Sequence, residues 1–440
     1  MKLSGWAKYP IIEAKVFYPR NIEDLINKIR DKNAIARGSG RAYGDSAIST
    51  SNTISMKYFN RFLDFDNLSG KLVAEAGVKL EEIIEIFLTK GWFPSVSPGT
   101  KFATLGGMIA ADVHGKNHHK DGSIRKFIDW LEIIRPNGDI IRCSPKENSE
   151  LFEWTIGGMG LTGIILKVAI RLRKVETAWI KQKIISVTNV ENCIDQFEQK
   201  LNSTYTVAWI DCLAKGKNLG KSILMLGEHA KINDLPKKIK KNPLIIKKKK
   251  KLSIPFNFPS WILSSFTVKI FNEFYYWYKK KMTKEHLIDY DDYFYPLDKL
   301  LQWNKIYGKK GFAQYQCVMP LHNAKKGIQE LLNEISRVKA GSFLAVLKRF
   351  GDQDSAFSFP MKGYTLALDF PVNDQNLKLM NRLDEITLKY NGRFYLAKDS
   401  RLNKLTFQKS ETRIENFRNF RNKDECFKVF RSSQSQRLEL

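Results

Sequence analysis

The sequence predicts an α+β chain in two parts, and three observations carry that prediction. Three glycine-rich loops, at residues 36–45, 98–107 and 157–163, lie between short apolar runs that read as strand and helix by turns. Further along, polar and apolar side chains alternate over residues 312–318 and 364–370, the period of strands in an antiparallel sheet. Finally, 440 residues exceed one ordinary core, so two or three domains are expected.

Composition narrows the class. A hydrophobic content of 43% with 28 Phe, 16 Tyr and 9 Trp is that of a globular protein. The net charge of +27, from 73 basic against 46 acidic residues, points to an anionic partner, although plain surface lysines also contribute. The five cysteines are scattered and odd in number, so neither a disulfide framework nor a zinc site is expected, and the thiols read as reduced in a cytosol. The first residues lack the apolar core of a cleaved signal, and no run reaches the roughly 18 apolar residues of a membrane span.

Taken in order, Asn21 caps a helix whose Ile22, Leu25, Ile26 and Ile29 share one face. The first glycine loop follows: Gly38, Gly40 and Gly44 can turn several backbone N–H groups toward a phosphate, with Arg37 and Arg41 adding charge. It matches neither GxGxxG nor GxxxxGK[ST], so a tight turn is the competing reading. Residues 72–77 read as a strand, and Leu80, Ile83, Ile84, Phe87 and Leu88 as a helix face that stops at Gly91.

Gly106, Gly107, Ala110 and Ala111 in the second loop allow a flat group, or another helix, to lie close. His114, His118 and His119 form a hydrogen-bonding loop, because no carboxylate or thiol stands at metal-ligand spacing. Residues 131–134 and 140–142 make a hairpin through Pro136-Asn137-Gly138-Asp139. After the third loop, Leu166, Val168, Ile170 and Leu172 alternate with Lys167, Arg171 and Arg173 as a half-buried strand, and a domain boundary falls near Glu176.

The middle of the chain carries a basic tract, with Lys237, Lys238, Lys240 and Lys241 before Lys247 to Lys251, and with Pro236 and Pro243 breaking any helix. The aromatic stretch that follows holds Phe256, Phe258, Trp261, Phe266, Phe271, Phe274, Tyr275, Tyr276 and Trp277. Two readings compete here: an anionic membrane surface, or a solvated loop followed by a core helix. Nucleic acid is not expected, since no recognition motif accompanies the charge. Alternation puts Gln314 and Gln316 on one strand face, and Thr365, Ala367 and Asp369 on another, as a binding floor or a wet outer face. A helix striped by Leu379, Leu383, Ile386 and Tyr390 ends at Asn391-Gly392, and residues 394–401 lead from a strand into a polar turn.

The three glycine loops resemble the FAD-binding domain of the vanillyl-alcohol-oxidase/PCMH flavoproteins. More closely, residues 36–45, 114–119, 312–316, 368–371, 397–401 and 437–440 resemble the decaprenylphosphoryl-ribose 2′-oxidase family, the flavin subunits of epimerases that make arabinose donors. The resemblance spans nearly the whole chain and is weakest over residues 175–285. It implies a PCMH-type FAD-binding domain over residues 1–175 and a substrate domain on an antiparallel sheet with flanking helices over 176–392, holding the basic loop near 236–251. Residues 393–440 would return to the FAD domain.

The resemblance further implies that Ala36, Arg37, Gly38, Ser39, Gly40, Arg41, Ala42, Tyr43, Gly44, Asp45 and Ser46 wrap the FAD pyrophosphate. Gly99, Thr104, Leu105, Gly106 and Gly107 would line the flavin, Ala111, Asp112, Val113 and His114 lie along it, and Ile165 and Tyr395 complete the site. Tyr43, His114, Lys116, Gln314, Gln316, Thr365 and Lys398 would ring the substrate. Where mycobacterial members carry Asn and Cys, this chain has Thr365 and Ala367, so that Cys is not needed and the sugar stays open. Many relatives link flavin to a His in the first glycine loop; here the stretch reads Arg41-Ala42-Tyr43, so FAD is expected to be held non-covalently.

The implied reaction is oxidation of the 2′-hydroxyl of a polyprenyl-phosphoryl pentose, the first half of an epimerisation toward an arabinose donor. Lys398 is the expected base, because a desolvated lysine has a lowered pKa, and His114 is second; an ion pair of Lys398 with Asp399 or Asp369 is the purely structural alternative. Implied partners are the lipid-linked sugar, an anionic membrane surface at the inner face of the plasma membrane, and a short-chain NAD(P)H reductase that completes the epimerisation. Two alternatives remain: the same fold acting on a soluble sugar, sugar acid or lactone, or a flavin-free basic protein that docks on membrane or RNA.

Overall fold

The computed structural model describes residues 1–247, 249–282, 284–423 and 425–440, without the side chains of Ser260 and Trp261. Lys248 of the basic tract and the side chain of Trp261 therefore lie outside the described residues. The fold is α+β.

The N-terminal part is built on two sheets. Val16–Phe17, Asn52–Ser55 and Ala34–Arg37 form a three-stranded parallel sheet, in that order. The helix Ile22–Arg30 packs beside it and starts where the Asn21 side chain accepts the Asp24 N–H at 2.8 Å. A five-stranded antiparallel sheet runs in the order Ile140–Cys143, Ile128–Ile134, Ile164–Arg171, Lys71–Glu75, Phe62–Asp66. The expected hairpin is its first pair. The helix Leu80–Phe87 buries Leu80, Ile83, Ile84 and Phe87 against this sheet, and Gly91 ends the following turn at φ 82°.

Strand Ile164–Arg171 is more deeply buried than its sequence alternation implied. It is the central strand: Val168 and Ile170 pack under the helix Leu80–Phe87, while Ile164 and Leu166 pack against Leu25 and Ile29 of the first helix. Lys167 keeps its charge by pairing with Glu132 at 2.8 Å.

Most strands of the remaining chain form an eight-stranded antiparallel sheet. Its order is His286–Asp289, Trp179–Val187, Ser222–His229, Tyr205–Ile210, Ala345–Phe350, Gly363–Pro371, Phe312–Pro320, Arg393–Phe394. One face is apolar: Tyr315, Cys317, Leu347, Leu366 and Leu368 pack against the helices Val190–Gln199, Leu321–Arg337 and Asp374–Lys389. The other face carries the polar side chains and looks toward the glycine loops.

Beyond residue 394 the chain reaches back to the N-terminal sheets. Cys426, Val429 and Phe430 join the cluster around Leu25 and Ile29, and Arg431 N–H donates to the Ala34 carbonyl at 2.9 Å. The basic tract departs from expectation in one respect. Pro236 begins a short helix, Lys237–Lys240, because a proline just ahead of the first turn has no N–H to lose. The tract is also partly tied down: Lys249 pairs with Asp289 at 2.6 Å and with Asp292, and Lys251 with Glu81 at 2.7 Å.

Candidate active site

A cavity of about 420 Å³ lies between the glycine loops and the polar face of the eight-stranded sheet. Its upper wall holds Ala36, Gly38, Ser39, Gly40, Arg41, Ala42, Tyr43 and Ser46 from the first loop, with Gly99, Thr104, Gly106, Gly107, Ala111, Val113, His114 and Lys116 from the second. Gly160, Gly163, Ile165 and Tyr395 close one side, and Gln314, Gln316, Lys348, Ala367 and Lys398 form the floor. Of the residues expected at the site, Arg37, Gly44, Asp45, Leu105, Asp112 and Thr365 stand behind this wall. Arg37 donates to the Ser4 carbonyl at 2.8 Å, Leu105 is in the core, and Asp112 accepts from Gln353 at 2.8 Å.

The first loop leaves strand Ala34–Arg37 and is held open by what lies under it. Gly40 has φ 66°, which lets the chain turn without strain. The amides of Ser39, Gly40, Arg41 and Ala42 donate to no group among the described residues, so they are free for an anion. Tyr43 N–H donates to the Ala397 carbonyl at 3.0 Å, and a Cβ on Gly44 would collide with the Asp399 carbonyl. The loop and the Lys398 turn are thus one unit. Arg437 locks it, reaching Asp45 at 2.8 Å and Asp399 at 2.9 Å.

In the second loop, Thr104 caps the short helix Leu105–Ala110 by accepting the Gly107 N–H at 3.3 Å. A Cβ on Gly99 would meet nothing within 4 Å, so this glycine borders open space. Free backbone donors, small side chains beside a cavity, and the unpartnered buried Arg41 Nε fit a dinucleotide such as FAD. Arg41 itself lies over the rings of Trp6 and Phe102, at 4.2 and 4.8 Å.

The floor follows from register. Gln314 faces Asp369, Gln316 faces Ala367, Val346 faces Ala367, and Lys348 faces Thr365, so these side chains share one side of the sheet. Gln314 Nε2 donates to Asp369 Oδ1. Gln316 Nε2 donates to Thr365 Oγ1 at 3.2 Å and lies 3.3 Å from His114 Nε2. Thr365 in turn donates to the Cys317 carbonyl at 2.8 Å, so it positions Gln316 from behind. Among the buried side-chain atoms without a hydrogen-bond partner are His114 Nδ1, on the cavity wall, and Asp369 Oδ2, beside Gln314.

Burial shapes the charges. Lys398 sits with Nζ 3.4 Å from the centre of the Tyr43 ring; desolvation lowers its pKa, against the pull of Asp369 and with help from Lys348. Desolvation likewise raises Asp369, although Gln314 and Lys398 act against it. The alternative partner Asp399 is taken by Arg437. Lys116 donates to the Tyr293 carbonyl and lies 4.1 Å over the Tyr293 ring; burial, then Lys348, brings it down to about 7. Burial brings Lys348 to about 8 and holds His114 well below its ordinary value.

Lys348 was missed by sequence reasoning. The alternation of its neighbours puts Lys348 on one strand face, and the pairing with Thr365 shows which face that is. The signal available was the alternation of Val346, Lys348 and Phe350 against Ala345, Leu347 and Arg349. Three lysines line one cavity, whose one lining carboxylate among the described residues is Asp298, with Asp369 beside Gln314; the site is thus short of negative charge.

Comparison with known proteins agrees with this geometry. Residues 14–144 match a family model described as an FAD binding domain. The decaprenylphosphoryl-beta-D-ribose oxidase of Mycolicibacterium smegmatis is 33% identical over 455 aligned residues, which cover 100% of this chain and 97% of that one. The L-gulonolactone oxidase of Bos taurus is 26% identical over 39% of this chain and 40% of its own. The D-arabinono-1,4-lactone oxidase of Yarrowia lipolytica is 24% identical over 39% of this chain and 34% of its own.

Proposed function

Because the chain belongs to the vanillyl-alcohol-oxidase-type FAD-dependent oxidoreductases, which act on CH–OH groups, we propose that it oxidises the 2′-hydroxyl of a polyprenyl-phosphoryl pentose to the 2′-ketone. The observation that carries this reading is the ring of Lys116, Lys348 and Lys398 on a cavity whose wall also holds Val207, Trp209, Met225, Tyr275, Leu297 and Trp303. Cations set among apolar and aromatic walls suit a substrate that is both anionic and lipidic. The soluble-lactone alternative has no such need for apolar wall, and the lactone oxidases align with only part of this chain. Residues 1–175 would serve the cofactor, 176–392 the substrate, and 393–440 would carry Lys398 back to the cofactor loop.

In this reading the amides of Ser39–Ala42 would hold the FAD diphosphate. Gly99 would leave room for the ring system, with Gly106, Gly107 and Ala111 on the same wall, and the cofactor would be held without a covalent link. Bound FAD supplies the acceptor for the hydride that leaves the carbinol carbon. Neutral Lys398 takes the hydroxyl proton, and Asp369 stabilises the ammonium that results. Gln314 keeps Asp369 oriented, and Gln316 with His114 hydrogen-bonds the sugar. Lys116 and Lys348 neutralise the phosphodiester. The ketone would pass to an NAD(P)H-dependent reductase to complete the epimerisation, and the lipid tail would bring the enzyme to a membrane surface. No helix among the described residues is long and apolar enough to cross one.

The test is an anaerobic visible spectrum of the purified protein before and after addition of a short-chain prenyl-phosphoryl ribose. Bleaching of the flavin band is expected; a band that persists with this substrate and bleaches with gulonolactone would move the assignment to lactones. Lys398→Ala is expected to keep the flavin and to slow bleaching by about 10²–10⁴-fold. Unchanged bleaching would remove Lys398 from the chemistry.

A further inference from the structure

The helix Ser265–Lys280 has two unlike faces. Tyr275 lines the cavity, its ring 4.8 Å from that of Trp209 on the floor, and Val268 and Asn272 are buried on the same side. On the opposite side Phe266, Ile270, Phe274 and Trp277 are 70, 54, 61 and 52% exposed. At 100° per residue these four fall within an arc of about 80°. Single exposed apolar residues need no explanation, but four large ones on one helical stripe do. The sequence had allowed a core helix here; the outward stripe rules that out for this face.

The charge around the stripe says what covers it. Lys269, Lys280, Lys281 and Lys284 are exposed, and Lys281 Nζ stands 3.5 Å from the centre of the Trp277 ring. Glu273, the one acid on the helix, is neutralised by Lys221 at 2.6 Å. An exposed aromatic stripe edged by lysines, with the helix's one acid paired, complements an anionic lipid surface, where the rings enter the headgroup layer and the ammonium groups meet phosphates. At 16 residues the helix is too short to span a bilayer, and its buried side is occupied.

We propose that the helix Ser265–Lys280 seats the protein on an anionic bilayer through Phe266, Ile270, Phe274 and Trp277, so that a membrane-lying element is also a wall of the substrate cavity. The purpose assigned to this seat rests on the reading of the substrate as a lipid phosphate. The surface itself does not. A lipid-linked substrate held in the same leaflet needs only to slide its headgroup past Tyr275, with its tail kept in apolar surroundings.

The experiment is co-sedimentation of the FAD-loaded full chain with phosphatidylcholine vesicles, with and without phosphatidylglycerol, and without substrate. Binding is expected with phosphatidylglycerol, weakening as salt rises. The variant Phe266→Ser/Phe274→Ser/Trp277→Ser should bind more than tenfold less while its flavin content and Tm match those of the wild type. Lys269→Glu/Lys280→Glu/Lys281→Glu should lose the preference for phosphatidylglycerol. Should the serine variant fail to fold, quenching by brominated lipid is compared between wild type and Trp277→Phe; loss of quenching in the latter supports the seat, and equal quenching overturns it. No wild-type binding, or equal binding by the folded serine variant, overturns the proposal. So does a dimer, seen by sedimentation velocity, that the serine variant dissociates. Flavin bleaching by the prenyl-phosphoryl sugar without vesicle binding would sink the seat and leave the substrate reading standing.

Discussion

Replacing Arg437 by Met tests whether the first glycine loop and the Lys398 turn are one mechanical unit. Arg437 Nη2 reaches Asp45 and Asp399 at 2.8 and 2.9 Å, and both carboxylates are almost fully buried. Removing one partner of a buried pair leaves charge uncompensated and costs about 3–5 kcal/mol. Arg437 is itself about one-quarter exposed, at 26% of its side chain, so the lower end applies, about 3 kcal/mol. With an unfolding entropy of about 2.1 cal/mol/K per residue, that is roughly a 3 °C fall in Tm for this chain.

The pH dependence carries the sign. Burial pushes the Asp399 carboxyl up, but Arg437 and the amides of Leu402 and Arg401 more than offset it, so it lies below its ordinary value. A depressed carboxyl contributes stability above the unfolded pKa, about 3.9, and loses it as pH falls through the folded value. Burial already keeps Asp45 raised despite Arg437. Without the guanidinium both carboxyls rise, and the cost of their charge is relieved on acidification. The Tm gap between wild type and Arg437→Met should therefore be widest near neutrality and narrow toward acid pH. Melting followed by flavin fluorescence should show flavin release at a lower temperature in the variant. Asp45→Asn/Asp399→Asn in the Arg437→Met background should recover much of the loss. An unchanged Tm, or a gap that widens in acid, would refute the clamp.

Three further outcomes follow from the same geometry. Gly44→Ala forces a Cβ into the Asp399 carbonyl and should yield protein that binds FAD weakly, read as the flavin-to-protein absorbance ratio after gel filtration. Lys116→Met or Lys348→Met should raise KM for the prenyl-phosphoryl sugar roughly 10–100-fold, the equivalent of one hydrogen bond to a charged group, with kcat less affected. Because burial brings these lysines to about 7 and about 8, they are protonated below those values and neutral above. KM should accordingly rise as pH goes from 6 to 9; a flat profile would mean that neither meets the phosphate.

What could be read from the sequence was whatever is encoded within a dozen residues. The cap at Asn21, the stripe from Leu80 to Phe87, the hairpin across Asn137-Gly138 and the turn at Gly40 are local decisions, made by side-chain period and by backbone freedom. The site's supports are not local. Arg437 and Asp45 are 392 positions apart, and nothing near either residue announces the other. Lys348 becomes a floor residue only through its register with Thr365, and Thr365, expected on the wall, is drawn behind it by the Cys317 carbonyl.

The helix Ser265–Lys280 shows the same limit from the other side. Its apolar residues are spaced to suit burial on either face, so periodicity alone cannot separate core from surface. What decides is which face finds partners. Trp209 and the sheet take Tyr275 and Val268, Lys221 takes Glu273, and the protein leaves Phe266, Ile270, Phe274 and Trp277 with none among the described residues beyond each other and neighbouring lysines and tyrosines. The proposed bilayer seat rests on this stripe that the fold leaves exposed, and the lysines beside it are why the proposal names an anionic surface.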